Sequence, residues 1–217
     1  MPKLTLCSSA NASRSCVAIS RRARRFRITN LKKARATLTL ATHRRAPART
    51  VHLSELFTQP NRSLVIYHLM YGKRQARPCP MCTAWCDGAN GVGHHLAQNL
   101  DFAVVAAAEL PALRAHARTH GWDKLRLLSA GNSTFKYDLG SENAEEQQDS
   151  AISVFTRDGD GTLHHFYTAH PWMAADVKER GIDLLAPIWH FLDLTPQGRG
   201  NWYTSLEYGT KVQTASR

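Results

Sequence analysis

Cys79-Pro80-Met81-Cys82 is the stretch whose residue types and spacing point most directly to chemistry. It follows an apolar run, Leu64 to Tyr71, and precedes a segment, Thr83 to Asn99, that reads as helix. A thiolate at a helix N-terminus meets the positive end of the helix dipole and unpaired backbone N–H groups, and both stabilise the ionised form. In such settings a cysteine pKa falls from about 8.5 to somewhere between about 3.5 and 7.5, so nucleophile is available near neutral pH. Cys79, at the helix mouth, is then the group that attacks a disulfide. Cys82, one turn deeper, resolves the mixed disulfide by attacking Cys79. Pro80 limits the backbone between them, and Lys73, Arg74 and Arg77 just upstream are candidates to add positive potential.

The same spacing is half of a zinc site. A tetrahedral site needs two further Cys or His ligands. His94 and His95 follow Cys82 by 12 and 13 residues, but no second histidine stands three to five residues beyond them. Cys86, one turn after Cys82, offers a third thiolate; its simpler reading is a small buried residue on the helix face. Ligand count favours a redox pair over a metal half-site, and both readings stay open at this level.

The elements that must position the two sulfurs follow from hydrophobic pattern. Leu64 to Tyr71 lacks sustained polar alternation, as a central strand covered on both faces does. The helix from Thr83 carries Gly88, Gly91 and Gly93, which predict a kink or break. Leu100 to Ala108 reads as a second buried strand, Glu109 to His120 as a helix stopped by Gly121, and Leu125 to Ser129 as a short third strand. Ala151–Arg157 and Thr162–Thr168 flank Asp158-Gly159-Asp160-Gly161, the clearest hairpin signal in the chain. Ile182 to Leu192 reads as a last helix interrupted by Pro187. Strands alternating with helices imply an α/β fold with a mostly parallel sheet, to which the hairpin adds an antiparallel edge.

The chain of 217 residues has a formal charge of +11, yet this does not spell a nucleic-acid protein. Residues 1–50 hold 13 of the 28 Lys and Arg and no Asp or Glu, while the remainder has 15 basic against 17 acidic residues. The basicity therefore belongs to an N-terminal extension, read as a solvated, disordered arm, with a targeting segment and a misjudged start as alternatives. Interleaved aromatics are nearly absent from it, which argues against a nucleic-acid arm. Five cysteines are an odd number in a chain much larger than a disulfide-stapled scaffold. No apolar run approaches the roughly 18 residues of a membrane span. These readings give residues 1–50 as extension, 51–208 as one domain and 209–217 as a tail, in a cytoplasmic protein.

Taken together, several stretches resemble a known family. They are Leu53-Ser54-Glu55-Leu56-Phe57, Leu64 through Gly72, Arg77-Pro78-Cys79-Pro80-Met81-Cys82-Thr83, Phe102-Ala103-Val104-Val105, Gly121-Trp122, Phe155 through Gly161, and Leu194 through Tyr203. Over roughly residues 51–208 the sequence is similar to a thioredoxin-like family of bacterial proteins of unknown function, often labelled dithiol-disulfide oxidoreductases. The resemblance implies a thioredoxin-like three-layer sandwich, a central mixed sheet with helices on both faces, and Cys79 and Cys82 as the redox pair. It implies a protein or small-molecule disulfide as substrate, an external thiol as reductant, and no cofactor. Peroxiredoxin-like peroxide reduction at the same thiolate, or a non-catalytic binding module, are the alternatives. One departure concerns the segment before the hairpin, Gln147-Gln148-Asp149-Ser150, which has no proline where thioredoxin-like folds usually carry one.

Overall fold

In the computed structural model, which describes residues 38–41, 48–171, 185–200 and 202–207, seven strands form one sheet. They are β1 (Leu38–Ala41), β2 (Arg49–Val51), β3 (Leu64–His68), β4 (Asp101–Ala106), β5 (Arg126–Ser129), β6 (Ala151–Arg157) and β7 (Leu163–Ala169). Their order across the sheet is β2-β1-β5-β4-β3-β6-β7. The central three, β5, β4 and β3, are parallel, and every other pairing is antiparallel. The expected parallel core with an antiparallel hairpin edge is what forms. A second antiparallel edge, β1 with β2, lies upstream of Val51, so the sheet begins inside the stretch assigned to the basic extension.

Five helices accompany the sheet among the described residues: α1 (Pro80–Gly91), α2 (Gly93–Asn99), α3 (Leu110–Thr119), α4 (Phe135–Asp138) and α5 (Pro187–Asp193), with a 3₁₀ turn at Leu53–Leu56. The predicted break in the helix after the cysteines falls at Val92, between α1 and α2. Gly93 opens α2 where a Cβ would lie 2.6 Å from the Lys124 side chain, so glycine is needed for that close approach. Two sequence expectations shift. The apolar run from Leu64 pairs as strand only to His68; beyond it Leu69 N–H still bonds to Val105 and the Tyr71 carbonyl to Ala108 N–H, while the Met70 carbonyl turns to Cys79 N–H. Pro187 begins α5 rather than interrupting a helix, since a proline at N1 forfeits no intrahelical bond; residues 182–184, the start of that expected helix, lie outside the described residues, as do Cys7, Cys16 and residues 209–217.

Strand alternation divides the apolar side chains between two faces. On one face Tyr67, Val104, Ala106 and Leu127 pack with Cys82, Trp85 and Cys86 of α1, Leu113 of α3, Trp122 and Trp189. On the other, Leu64, Ile66, Ala103, Val105 and Leu128 pack with Leu53 and Leu56 of the 3₁₀ turn, Phe135 of α4 and Phe155. This is a three-layer arrangement with helical elements on both faces.

A buried polar chain runs through the second face. Ser141 Oγ donates to the Lys136 carbonyl at 3.1 Å, so its 2.6 Å contact with His68 requires Nδ1–H of the imidazole as donor. Nε2 then accepts from Ser153 Oγ at 3.0 Å, and Ser153 in turn lies 2.8 Å from Thr168 Oγ1. His68 is 0% exposed and stacks on Phe135. Burial, then the charge of Lys136, hold it neutral, with its pKa well below the usual 6.5. It is thus a satisfied core histidine, as a lone histidine inside a strand suggests.

The sign of the pH dependence follows. Because the unfolded chain binds a proton at His68 near pH 6.5 and the folded one does so only well below, stability falls as pH drops below 6.5. One such group steepens the slope by up to about 1.4 kcal/mol per pH unit. Urea unfolding of wild type and His68→Gln at pH 6.5 and 5.0 will show the wild type losing about 2 kcal/mol more over that interval; equal losses would remove His68 as the titrating group.

Candidate functional site

Where β3 ends, the chain leaves the sheet through a loop that leads to the two motif cysteines, and α1 and α2 then carry it to β4. Cys79 is the N-cap of α1, with φ −64° and ψ 127°, and Pro80 occupies N1. The cap places its side chain outside the helix cylinder at the positive end of the α1 dipole. Its own N–H donates to the Met70 carbonyl at 2.9 Å, and its carbonyl accepts from Thr83 N–H at 3.0 Å and Thr83 Oγ1 at 3.1 Å. These bonds fix the backbone on both sides of the sulfur. Cys79 is half-buried, whereas Cys82 is 2% exposed and Cys86 is 1% exposed, and all three are thiols rather than disulfides.

The two motif sulfurs are in unlike surroundings. Cys82 is held protonated, its pKa well above the usual thiol value, first by the hydrogen bond it gives to Cys79, then by burial and by the Cys79 charge. Against these, the Tyr67 hydroxyl and the Met70 N–H both point hydrogen-bond donors at Cys82. Tyr67 is fixed for this by stacking on Trp85, ring centroids 5.0 Å apart and planes 8° from parallel. The arrangement keeps the proton on Cys82.

At Pro78, the residue before Cys79, opens a cleft of about 600 Å³ lined in part by Tyr71, Arg77, Pro78, His116 and Glu207. His116 Nε2 lies 3.0 Å from Thr83 Oγ1, whose single proton goes to the Cys79 carbonyl, so Nε2 carries a hydrogen and donates. Burial, then the nearby His120, bring the His116 pKa down to about 4, so the ring is neutral near pH 7. The upstream cations are mostly engaged elsewhere: Lys73 and Arg74 pair with Glu146, and Arg77 pairs with Glu207. Only Arg77 lines the cleft.

The structure brings the sequence-predicted Cys79 and Cys82 into mutual hydrogen-bonding contact, and seats Cys86 deeper in α1 against apolar neighbours. His94 and His95 are exposed on α2, and among the described residues no group of three His, Cys, Asp or Glu side chains is gathered for a metal ion. The loop before β6 packs Gln148 against Gly72 in the segment leading to the cysteines. Sequence reasoning did not find Tyr67, Thr83, His116 or Lys136. Only Thr83, by its place four residues after Cys79, carried a local signal, as a side chain able to bond back to an i−4 carbonyl.

Comparison with known proteins agrees with this geometry at the level of fold and family. The profile of a family described as "Bacterial protein of unknown function (DUF899)" matches residues 10–213. No protein of curated function matches the chain. Among solved structures, a cysteine-to-serine mutant of peroxiredoxin Q from Xanthomonas campestris superposes with a TM-score of 0.50 at 13% identity, covering 74% of this chain and 93% of that one. A second cysteine mutant of the same peroxiredoxin gives 0.50 at 13% identity, covering 74% and 92%. The likeness shows a shared thioredoxin-like fold.

Cys86 has burial without such donors, and its thiol is pushed up by desolvation. Cys86→Ala will lower unfolding free energy by about 1 kcal/mol, the scale of a small core truncation, and leave the rate at which Cys79 reacts with a disulfide within twofold. A tenfold change in that rate would bring Cys86 into the chemistry.

Proposed function

The chain belongs to the DUF899 family of bacterial proteins, whose fold is thioredoxin-like, and from that premise we propose that it is a thiol-disulfide oxidoreductase. Cys79 is the nucleophile and Cys82 the resolving thiol. The observation that carries the reading is the division between the two sulfurs: one half-buried at a helix cap, the other buried and donating its proton to the first.

The steps are those of exchange between a dithiol and a disulfide. Cys79 thiolate attacks one sulfur of the substrate, the S–S bond breaks, and the first half leaves as a thiolate that takes a proton from solvent. Cys82 then loses its proton, attacks Cys79 Sγ and displaces the second half. The pair ends as a disulfide and the substrate as two thiols. An external thiol reductant restores the dithiol. The substrate is a protein or small-molecule disulfide, for which the cleft at Pro78 is the candidate docking place. A reducing compartment such as the cytoplasm supplies the reductant. Among the described residues no helix is long and apolar enough to cross a membrane.

A second reading draws on what the superposed structures are called, peroxiredoxins. Cys79 thiolate would attack a peroxide oxygen, giving a sulfenic acid and an alcohol or water. Cys82 would condense with it to the same disulfide, releasing one water. Both readings use the same two sulfurs, and the substrate separates them.

Insulin-disulfide reduction and hydroperoxide consumption, each with an excess of dithiothreitol, will fall at least 100-fold in Cys79→Ser. Cys82→Ser will instead trap a mixed disulfide with the substrate, visible as added mass on Cys79. Wild-type and Cys79→Ser rates that coincide in both assays would overturn the enzymatic reading, and one bound zinc per chain with unreactive thiols would favour a binding module.

A further inference from the structure

Among the described residues, a lysine buried without a carboxylate at contact distance stands at the end of β3 that leads to the cysteines. Lys136 of α4 is 1% exposed, and among the described residues its hydrogen-bond acceptor is the Leu69 carbonyl at 3.4 Å. An ammonium removed from water and not paired at contact is costly, and a fold that keeps one commonly uses it. α4 belongs to the face of the sheet opposite α1, yet the Lys136 side chain reaches the C-terminal end of β3, where the backbone turns toward the cysteines. The Leu69 carbonyl accepts a hydrogen bond from the lysine, while the adjacent Met70 donates its N–H to Cys82 and accepts from Cys79 N–H at its carbonyl. Tyr67, two residues earlier, gives its hydroxyl to Cys82. Within four consecutive residues the end of β3 therefore joins an ammonium to a sulfur.

We propose that Lys136 is a positioning residue for the resolving half-reaction, supplying the positive charge against which Cys82 ionises once Cys79 is tied up in a mixed disulfide. The inference rests on the oxidoreductase reading above. In the reduced protein the Cys82 proton is held by the hydrogen bond to Cys79 and by the Cys79 charge. Forming the Cys79–S–S–R bond consumes that charge and that acceptor together. Cys82 is then left with burial on one side, and with the Tyr67 hydroxyl, the Met70 N–H and the Lys136 ammonium on the other. Its thiolate attacks Cys79 Sγ, the Cys79–S–R bond breaks, and R–S⁻ departs with the electron pair. The proton released by Cys82 and the one taken up by R–S⁻ balance through solvent, leaving Cys79–S–S–Cys82 and R–SH.

The charged groups facing this pair are few. Cys82 is met by Tyr67 from β3, Cys79 from its own helix and Lys136 from α4. Lys136 is met by Cys82 first, then by Glu142 and Asp149 from the segment between α4 and β6, and by His68 from β3. Desolvation brings the lysine down to about 8, so the ammonium form still prevails near pH 7. A merely structural lysine would tie α4 to the sheet end and leave the ionisation of Cys82 alone.

The two half-reactions are separable with 5,5′-dithiobis(2-nitrobenzoate), one equivalent per chain, on the full chain carrying Cys7→Ser and Cys16→Ser. Attack by Cys79 releases one coloured thiolate and resolution by Cys82 releases the second. In Lys136→Met the first release stays within twofold of wild type, while the second slows at least tenfold at pH 7.5 and its pH midpoint rises by about one unit, a tenfold change in thiolate fraction. A folded Lys136→Met with an unchanged second release overturns the proposal and leaves the oxidoreductase reading intact. A wild-type chain without a second release that depends on Cys82 overturns both. Where Lys136→Met fails to fold, the wild-type midpoint decides: at or below the ordinary thiol value of about 8.5, despite burial, supports the proposal, and above it contradicts it.

Discussion

The hydrogen bond from Cys82 to Cys79 is the interaction on which the rest of this site depends. It exists because the two sulfurs, three residues apart on the first turn of α1, are kept in unlike surroundings: one half-buried at the cap, the other buried beneath it against Tyr67 and Trp85. A thiol pair in equal surroundings would share the proton without preference. Here the bond to Cys79 and then burial assign it to Cys82, and in the proposed exchange that assignment makes attack and resolution two ordered events rather than a competition between two nucleophiles.

The sheet serves this pair chiefly through where β3 stops. Had the apolar run continued as strand to Tyr71, the carbonyls and N–H groups of Leu69 and Met70 would be spent on the neighbouring strands β4 and β6. Instead Leu69 N–H still bonds to Val105, while its carbonyl and both polar groups of Met70 turn to Lys136, Cys79 and Cys82. The same few peptide units finish the ladder and set the site. The second face of the sheet, with its His68-Ser141-Ser153 chain, gives α4 a fixed seat, so what reaches the sulfurs from that side arrives through satisfied polar groups and not through a gap in the core.

Much of this was legible in the sequence because it is local. The cysteine spacing after an apolar strand, the glycines that break the following helix, and the Gly/Asp turn of the β6–β7 hairpin are each written within about ten residues. What was not legible is tertiary. β1 and β2 are four and three residues long in a basic stretch, and only pairing with each other and with β5 makes them strands. Lys136, between Phe135 and Tyr137, looks like any surface lysine; its burial is decided by the distant end of β3. His116 is one of eleven histidines until the fold puts it 3.0 Å from Thr83.

The most direct test of the account is the order in which the two sulfurs of the reduced protein react. Brief treatment with substoichiometric iodoacetamide at pH 7, followed by peptide mapping, reads out which cysteine of the motif carries the label. The account predicts that Cys79 is alkylated and Cys82 remains a thiol. Label on Cys82 at a rate equal to or above that of Cys79 would contradict it.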